Sequence, residues 1–374
     1  METTQNPSLR IERGACYALF AYDAAFAIDL DEAQRRVRAA TQRPTLKRSH
    51  PAPTYFDYRP APVRVTQVAE PLTLGSFTTD PGVDIILHDF GAVLVIYTIP
   101  LHGDFAGLLT LSDILYDNEV LLADSHERVE QLFATIQEAA TRPEIADVVE
   151  DYVIFHFQTV TPACSVETLY ETYGEEIAHI LRAESAALSS FEVQDALSCR
   201  VSYGTDDLTL IDWNAALVYD RDGEDIRAVL EFVNVELVEM RYLDQLLDDA
   251  LDRSYRALPT PRWWSFARVG GRRTELQRIA RLQVDSAILF EGVNNALKLL
   301  GDQYLARVYR LASQRFHLSE WDASILRKLQ TLESLYEKAS DQAANYRLEI
   351  LEWIIIFLIA FEIVWPFVAD NVGH

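Results

Sequence analysis

The segment VDIILHDFGAVLVIYTI, residues 83–99, decides how this chain folds. Val83 to His88 and Ala92 to Ile99 (VDIILH, AVLVIYTI) read as strands. Asp89-Phe90-Gly91 between them is a turn, so the two runs pair as neighbours. Upstream, Val63 to Val68 (VRVTQV) alternates with the period of a half-buried strand, and Ala15 to Phe26 (ACYALFAYDAAF) supplies another. Asp29 is placed to cap a helix over Leu30 to Ala40. Prolines 44, 51, 53, 60 and 62 make the stretch between a loop, since each fixes φ and lacks a backbone donor. Downstream, Leu108 to Ala140 reads as helix in two pieces, Tyr152 to Val160 (YVIFHFQTV) as strand and Val166 to Ala187 as helix. Short strands follow at Cys199 to Tyr203, Leu208 to Ile211 and Ala215 to Tyr219.

After Gly223 the pattern becomes helical throughout. Ile226 to Leu258 is one segment, broken by Pro259 and Pro261; Thr274 to Leu300 and Asp302 to Phe316 follow, and Ser319 opens a last helix. The expected fold class is α+β: a mixed helix-and-strand domain over residues 10–222, an all-helical domain over 223–349, and a C-terminal transmembrane helix over 350–369.

The chain has 374 residues, 49% of them apolar, and 33 basic against 57 acidic side chains give a net charge of −24. That much apolar content builds a packed core and excludes wholesale disorder. The acidity excludes a protein that coats nucleic acid, while leaving room for one local basic contact. Cys16, Cys164 and Cys199 lie far apart without CxxC spacing, which gives neither a disulfide framework nor a zinc site. The polar stretch Met1 to Gly14 has the features of neither a signal peptide nor a transit sequence.

The last helix carries the clearest periodicity. Ile325, Leu329, Leu332, Tyr336, Ala339, Ala343, Tyr346, Ile350, Trp353 and Phe357 step by alternating intervals of 4 and 3, an a/d heptad seam that requires a facing helix. The partner is either the Thr274–Leu300 helix of the same chain or another subunit, which makes a homo-oligomer an expected assembly. The seam runs into ILEWIIIFLIAFEIVWPFVA, residues 350–369, whose length at about 1.5 Å per residue matches a bilayer core. Thirteen Leu, Ile, Phe and Val residues contribute roughly −6 kcal/mol to insertion against about 3 kcal/mol for Glu362. Lys and Arg precede this stretch and none follows it, which predicts a C-terminal anchor with the bulk of the protein in the cytoplasm. The alternative is a buried oligomerisation helix.

One segment departs from the acidic background. Between Arg253 and Arg281 eight arginines accompany a single acid, Glu275, so the local charge is +7 and the rest of the chain carries −31. Arg262, Trp263, Trp264, Arg268, Arg272 and Arg273 are the candidate binding residues, because guanidinium and indole suit anionic headgroups or stacked bases and phosphates. Salt bridging to the protein's own acidic residues is the structural alternative.

No catalytic residues, cofactor, metal or small-molecule substrate is expected. The eight histidines are dispersed; His88 and His156 sit on separate strands, and His317 with Glu320 marks a helix start. No GxGxxG, Walker A loop or GxSxG elbow occurs. Asp244, Asp248 and Asp252 share one helix face, a pattern that suits acid–base chemistry or, more commonly, a solvated surface.

Two stretches, VLEFVNVELVEMRYLDQLLDDALDRSYRAL (Val229 to Leu258) and GDQYLARVYRLASQRFHLSEW (Gly301 to Trp321) running on to Val364, resemble the required-for-meiotic-nuclear-division family, with its bacterial YagE-like members. The residues that fit its pattern are Glu231, Glu239, Arg241, Tyr242, Asp252, Tyr255, Asp302, Tyr304, Arg307, Tyr309, Glu349 and Glu352. The resemblance covers roughly residues 225–365 and implies a membrane helix and homo-oligomeric assembly; without the transit peptide of mitochondrial relatives, a bacterial member at the inner membrane is expected. It implies a non-enzymatic scaffold that tethers a protein or ribonucleoprotein partner, as mitochondrial relatives tether ribosomes, and it supplies no catalytic role.

Overall fold

The computed structural model describes residues 9–40, 46–51, 60–257, 284, 303–335, 337–338, 352 and 355–356. The chain divides into two compact units, Met1–Leu243 with Leu289–Asp322, and Asp244–Ile288 with Ala323–His374.

The first unit is mixed α/β, built on a nine-stranded sheet. Its centre is β1 (Arg10–Asp23), flanked by β8 (Ala92–Asp104) and β10 (Val149–Thr161), both antiparallel to it. Beyond β8 come β7 (Gly82–Leu87), β4 (Val63–Val68) and β3 (Leu46–Pro51). Beyond β10 come β13 (Ala215–Tyr219), which is parallel to it, then β12 (Leu208–Ile211) and β11 (Arg200–Val201). Two small pairs stand apart: β2 (Ala25–Ile28) with β9 (Ala140–Pro143), and β5 (Thr73–Leu74) with β6 (Phe77–Thr78).

The β7–β8 hairpin forms where the apolar runs place it. Gly91 makes its turn at φ +106°, and a Cβ there would sit 1.6 Å from the Ala25 carbonyl oxygen, so only glycine fits. Strand β4 shows the alternation its sequence predicts: Val63 and Val65 face the core, while Arg64 and Thr66 face the opposite side.

On one face of the sheet, Cys16, Ala18, Phe20 and Tyr22 of β1 join Val93, Val95 and Tyr97 of β8 and Phe155 and Phe157 of β10 in the main hydrophobic core. Helices α1 (Leu30–Ala40), α2 (Gly107–Leu115), α3 (Glu119–Ile136) and α4 (Val166–Arg182) cover that face with Leu30, Leu111, Val129, Leu132, Ile177 and Leu181 among others. Asn118 and Ser165 cap α3 and α4 by accepting backbone N–H bonds from Leu121 and Thr168. A short α5 (Ser190–Ala196) follows.

Helix α6 (Glu224–Ala257) is continuous over 34 residues, and α7 (Gln303–Arg315) belongs to the first unit. Up to Leu243, α6 is bonded to the other sheet face, through Arg227 over the Tyr17 ring and the Arg64–Glu231 ion pair.

In the second unit, residues 323–335 are helical and interact with the α6 residues from Asp244 on. Ile325 and Leu332, two seam positions, are buried, as are Leu247 and Ala250. Lys328 Nζ lies 2.7 Å from Asp244 Oδ1 and 2.6 Å from Asp248 Oδ1, and Ser324 donates to Asp244 at 3.0 Å. The start of the seam therefore faces α6 of the same chain.

Among the described residues no helix is long and apolar enough to cross a membrane. Helix α6 has the length, but charged side chains run through it from Glu224 to Arg256. The expected transmembrane helix, C-terminal anchor and bacterial inner-membrane address therefore find no support among the described residues. The segment over 350–369 itself lies outside the described residues, apart from Glu352, Ile355 and Ile356, which are exposed.

Candidate functional site

The part of α6 up to Leu243 is buried nearly all round. Ile226, Val229, Leu230, Val233, Val235, Val238 and Met240 are inside, yet so are Glu231, Asn234, Glu236 and Glu239. A carboxylate taken out of water is costly unless paired or protonated, and the three glutamates solve that in different ways.

Glu231 is paired. Arg64 Nη2 donates to its Oε2 at 3.0 Å and Arg227 Nε lies 3.1 Å from its Oε1. Arg64 also holds Asp84 of β7 at 2.9 Å, and Thr66 donates to the same carboxylate at 2.6 Å. Arg227 in turn stacks 4.4 Å above the Tyr17 ring. One ionic chain thus links β4, β7, α6 and β1.

The Glu236 and Glu239 carboxyls are instead raised by burial. Burial pushes the Glu236 carboxyl up to about 8, although Tyr309 of α7 donates to it at 2.8 Å and opposes the shift; Asp322 adds to it. Glu239 is driven well above the carboxylate range by burial and then by the Asp23 carboxyl it interacts with. Asp23, the last residue of β1, is itself raised to about 7 by burial, with the Glu239 contact lowering it and Glu144 raising it. Beside this pair, Tyr242 is pushed up to about 12 by burial and the surrounding acids. Arg241 is ion-paired with Glu150 of β10.

A second ionic centre lies at the β12–β13 turn. Asp212 is fully buried; its Oδ2 accepts from Arg182 Nε of α4 at 3.0 Å and its Oδ1 from Arg315 Nε of α7 at 2.8 Å. Its Oδ1 also accepts from the Trp213 N–H at 2.9 Å, and its carbonyl oxygen from Tyr152 at 2.9 Å. Asp195 of α5 bonds both arginines.

Of the sequence-marked residues, Glu231, Glu239, Arg241, Tyr242 and Tyr309 come together along this seam. Tyr304 donates instead to Asp207 at 3.2 Å, and Arg307 is exposed. Asp252 pairs with Arg256 in the second unit, and Tyr255 is exposed. Glu352 is exposed, while Asp302 and Glu349 lie outside the described residues. So do Arg262, Trp263, Trp264, Arg268, Arg272 and Arg273. Sequence reasoning missed Asp23, Asp212, Arg182 and Arg315. The one available signal was a lone acid ending the apolar strand LFAYD, residues 19–23.

The chemistry these centres support is cohesion. Their acids are buried, and none lines the open cavity of about 630 Å³ that Phe77, Thr78, Leu101, His102 and Leu108 help to form. Among the described residues no group of three His, Cys, Asp or Glu side chains is arranged to hold a metal.

The sheet unit is also what comparison with known proteins picks out. The family model described as uncharacterized protein MJ0711, N-terminal domain, matches residues 13–225, more than half of the chain. The chain belongs to that family. Uncharacterized protein MJ0711 of the archaeon Methanocaldococcus jannaschii is 21% identical over 245 residues, which cover 65% of this chain and 74% of that protein. No solved structure matches. These findings overturn the resemblance to the required-for-meiotic-nuclear-division family and the bacterial assignment that came with it. That resemblance rested on residues 225–365, whereas the MJ0711 N-terminal-domain match covers the sheet. Long amphipathic helices with acidic and tyrosine-rich edges share their spacing for reasons of packing, without common descent.

Proposed function

We propose that this protein is a non-enzymatic scaffold that binds a ribonucleoprotein partner through the arginine- and tryptophan-rich segment between Arg253 and Arg281. The observation that carries the reading is charge segregation: eight arginines and one acid fall in this stretch of a chain whose net charge is −24. A polyanion is attracted to such a segment and repelled by the acidic rest of the chain, which confines contact to one place. Trp263 and Trp264 add stacking surface for unpaired bases. The buried polar groups support the non-enzymatic part, because they are spent on joining helices to the sheet. Asp244 and Asp248, two of the acids that suited acid–base chemistry, are bridged by Lys328.

Fluorescence anisotropy with a labelled single-stranded RNA, read across a salt series, tests this. Binding that weakens with salt and is lost on Arg272→Glu with Arg273→Glu is the expected result. RNA affinity unchanged by that double charge reversal contradicts it.

A further inference from the structure

We propose that the open cavity where β8 runs into α2 is a binding site for a nucleobase, carried either by a free nucleoside or by an RNA strand. The cavity belongs wholly to the first unit and holds about 630 Å³, within the roughly 300–1,000 Å³ of small-molecule sites. Its walls are fixed by packing. The β5–β6 hairpin supplies one of them: a Cβ on Gly75, at its turn, would come 2.7 Å from Ile114 of α2. Just beyond the hairpin, the Asp80 N–H donates to the Thr98 carbonyl of β8 at 2.7 Å. The end of β8 and the first turn of α2 supply the rest, with Ile11, Leu101 and Leu108 buried beneath.

The lining selects the ligand. The Phe77 and Pro100 rings offer flat apolar surface, which suits stacking of a planar heterocycle. The polar groups carry both polarities. Asp104 brings a carboxylate, ion-paired with the exposed Arg10 at 3.3 Å, whereas the first turn of α2 brings backbone N–H groups without a side-chain cap from Ala106. A bare anion would meet the carboxylate, and a bare cation the positive end of the helix. A neutral ring with donors and acceptors along its edge suits both. Ser76 and Thr78 add hydroxyls that donate and accept. The His102 ring donates from Nδ1 to the Glu12 carbonyl at 3.0 Å, which leaves Nε2 an acceptor in the neutral ring. A purely apolar ligand would strip water from these groups and leave them unpaired. Flat faces with a mixed donor–acceptor edge are the chemistry of a base. Base binding here requires none of the eight arginines between Arg253 and Arg281.

Calorimetric titration of the intact chain with adenosine, guanosine, cytidine and uridine, which carry no phosphate, tests the site. Saturable binding of at least one is expected. Gly107 lines the cavity and a Cβ there meets nothing within 4 Å, so Gly107→Leu fills the space while favouring the helix. It should abolish binding without lowering the unfolding midpoint. Ser76→Ala with Thr78→Val, both at exposed positions, should weaken binding by about tenfold, the loss of one net hydrogen bond. Arg272→Glu with Arg273→Glu, which tests the basic segment, should leave nucleoside affinity unchanged. Single-stranded RNA at high salt, where phosphate contacts are suppressed, separates the two sources. RNA binding there that Gly107→Leu abolishes assigns the base to a strand; otherwise the free nucleoside is the ligand. Absence of binding for all four nucleosides overturns the proposal. So does nucleoside binding that survives unchanged in both Gly107→Leu and the Ser76→Ala, Thr78→Val double variant.

Discussion

Arg315, at the C-terminal end of α7, reaches the fully buried carboxylate of Asp212 in the β12–β13 turn, with Nε 2.8 Å from Oδ1. Because Arg182 of α4 holds the other oxygen at 3.0 Å, helices from separate parts of the sequence meet on one aspartate. Asp212→Ala leaves two guanidiniums facing an interior that they were built to neutralise. We expect a loss of roughly 3 kcal/mol in urea unfolding, at the low end for broken buried pairs because Asp195 still engages both arginines.

Glu231 plays the same part beneath α6. Glu231→Ala removes the carboxylate between Arg64 and Arg227, each with a side chain only 14% exposed, and leaves Arg64 with Asp84 alone. A destabilisation of about 3–5 kcal/mol is expected. An unfolding midpoint within error of wild type would show that the Arg64–Glu231–Arg227 chain does not secure α6.

How much of this was readable in the residues themselves depends on the range over which each element is determined. The hairpin over 83–99, α1, and the two helices between Gly107 and Ile136 follow from local pattern alone, since apolar runs, caps and Gly91 act within a few residues. Strand β3 (LKRSHP) has no alternation and ends in proline; it exists because β4 offers it an edge, as Leu46 pairs with Gln67 and Pro51 with Val63. The loop expected there is therefore part strand. Strand β9 (ATRP) and helix α5 (SFEVQDA) are too short to show a period.

The ionic centres were less legible still. Glu236 looks like a surface residue of an amphipathic helix, and only Tyr309, distant in sequence, reveals that it faces inward. Its raised carboxyl makes stability pH-dependent. In the folded chain it keeps its proton up to about 8, whereas the unfolded chain loses it in the ordinary carboxylate range, so unfolding releases a proton between those values. Stability should fall as pH rises through that window, by up to about 1.4 kcal/mol per unit for this group. Glu236→Gln should reduce the slope; a slope as steep as wild type would contradict the assignment.

Gly91 offers a test of the hairpin itself. Gly91→Ala places a methyl against the Ala25 carbonyl at a φ of +106°. Strain of about 1–3 kcal/mol comes from the backbone alone, and the clash adds to it. Thermal unfolding should drop accordingly, whereas an unchanged midpoint would mean the turn opens without cost.

The scaffold reading stands or falls on the basic segment, and the salt dependence of RNA binding measures it most directly. If residues 253–281 grip phosphates, the slope of log affinity against log salt should shrink by roughly 1.4 when Arg272 and Arg273 are both changed to alanine, at about 0.7 per contact on a single strand. A slope identical in wild type and double variant, or no binding at low salt, would contradict the account.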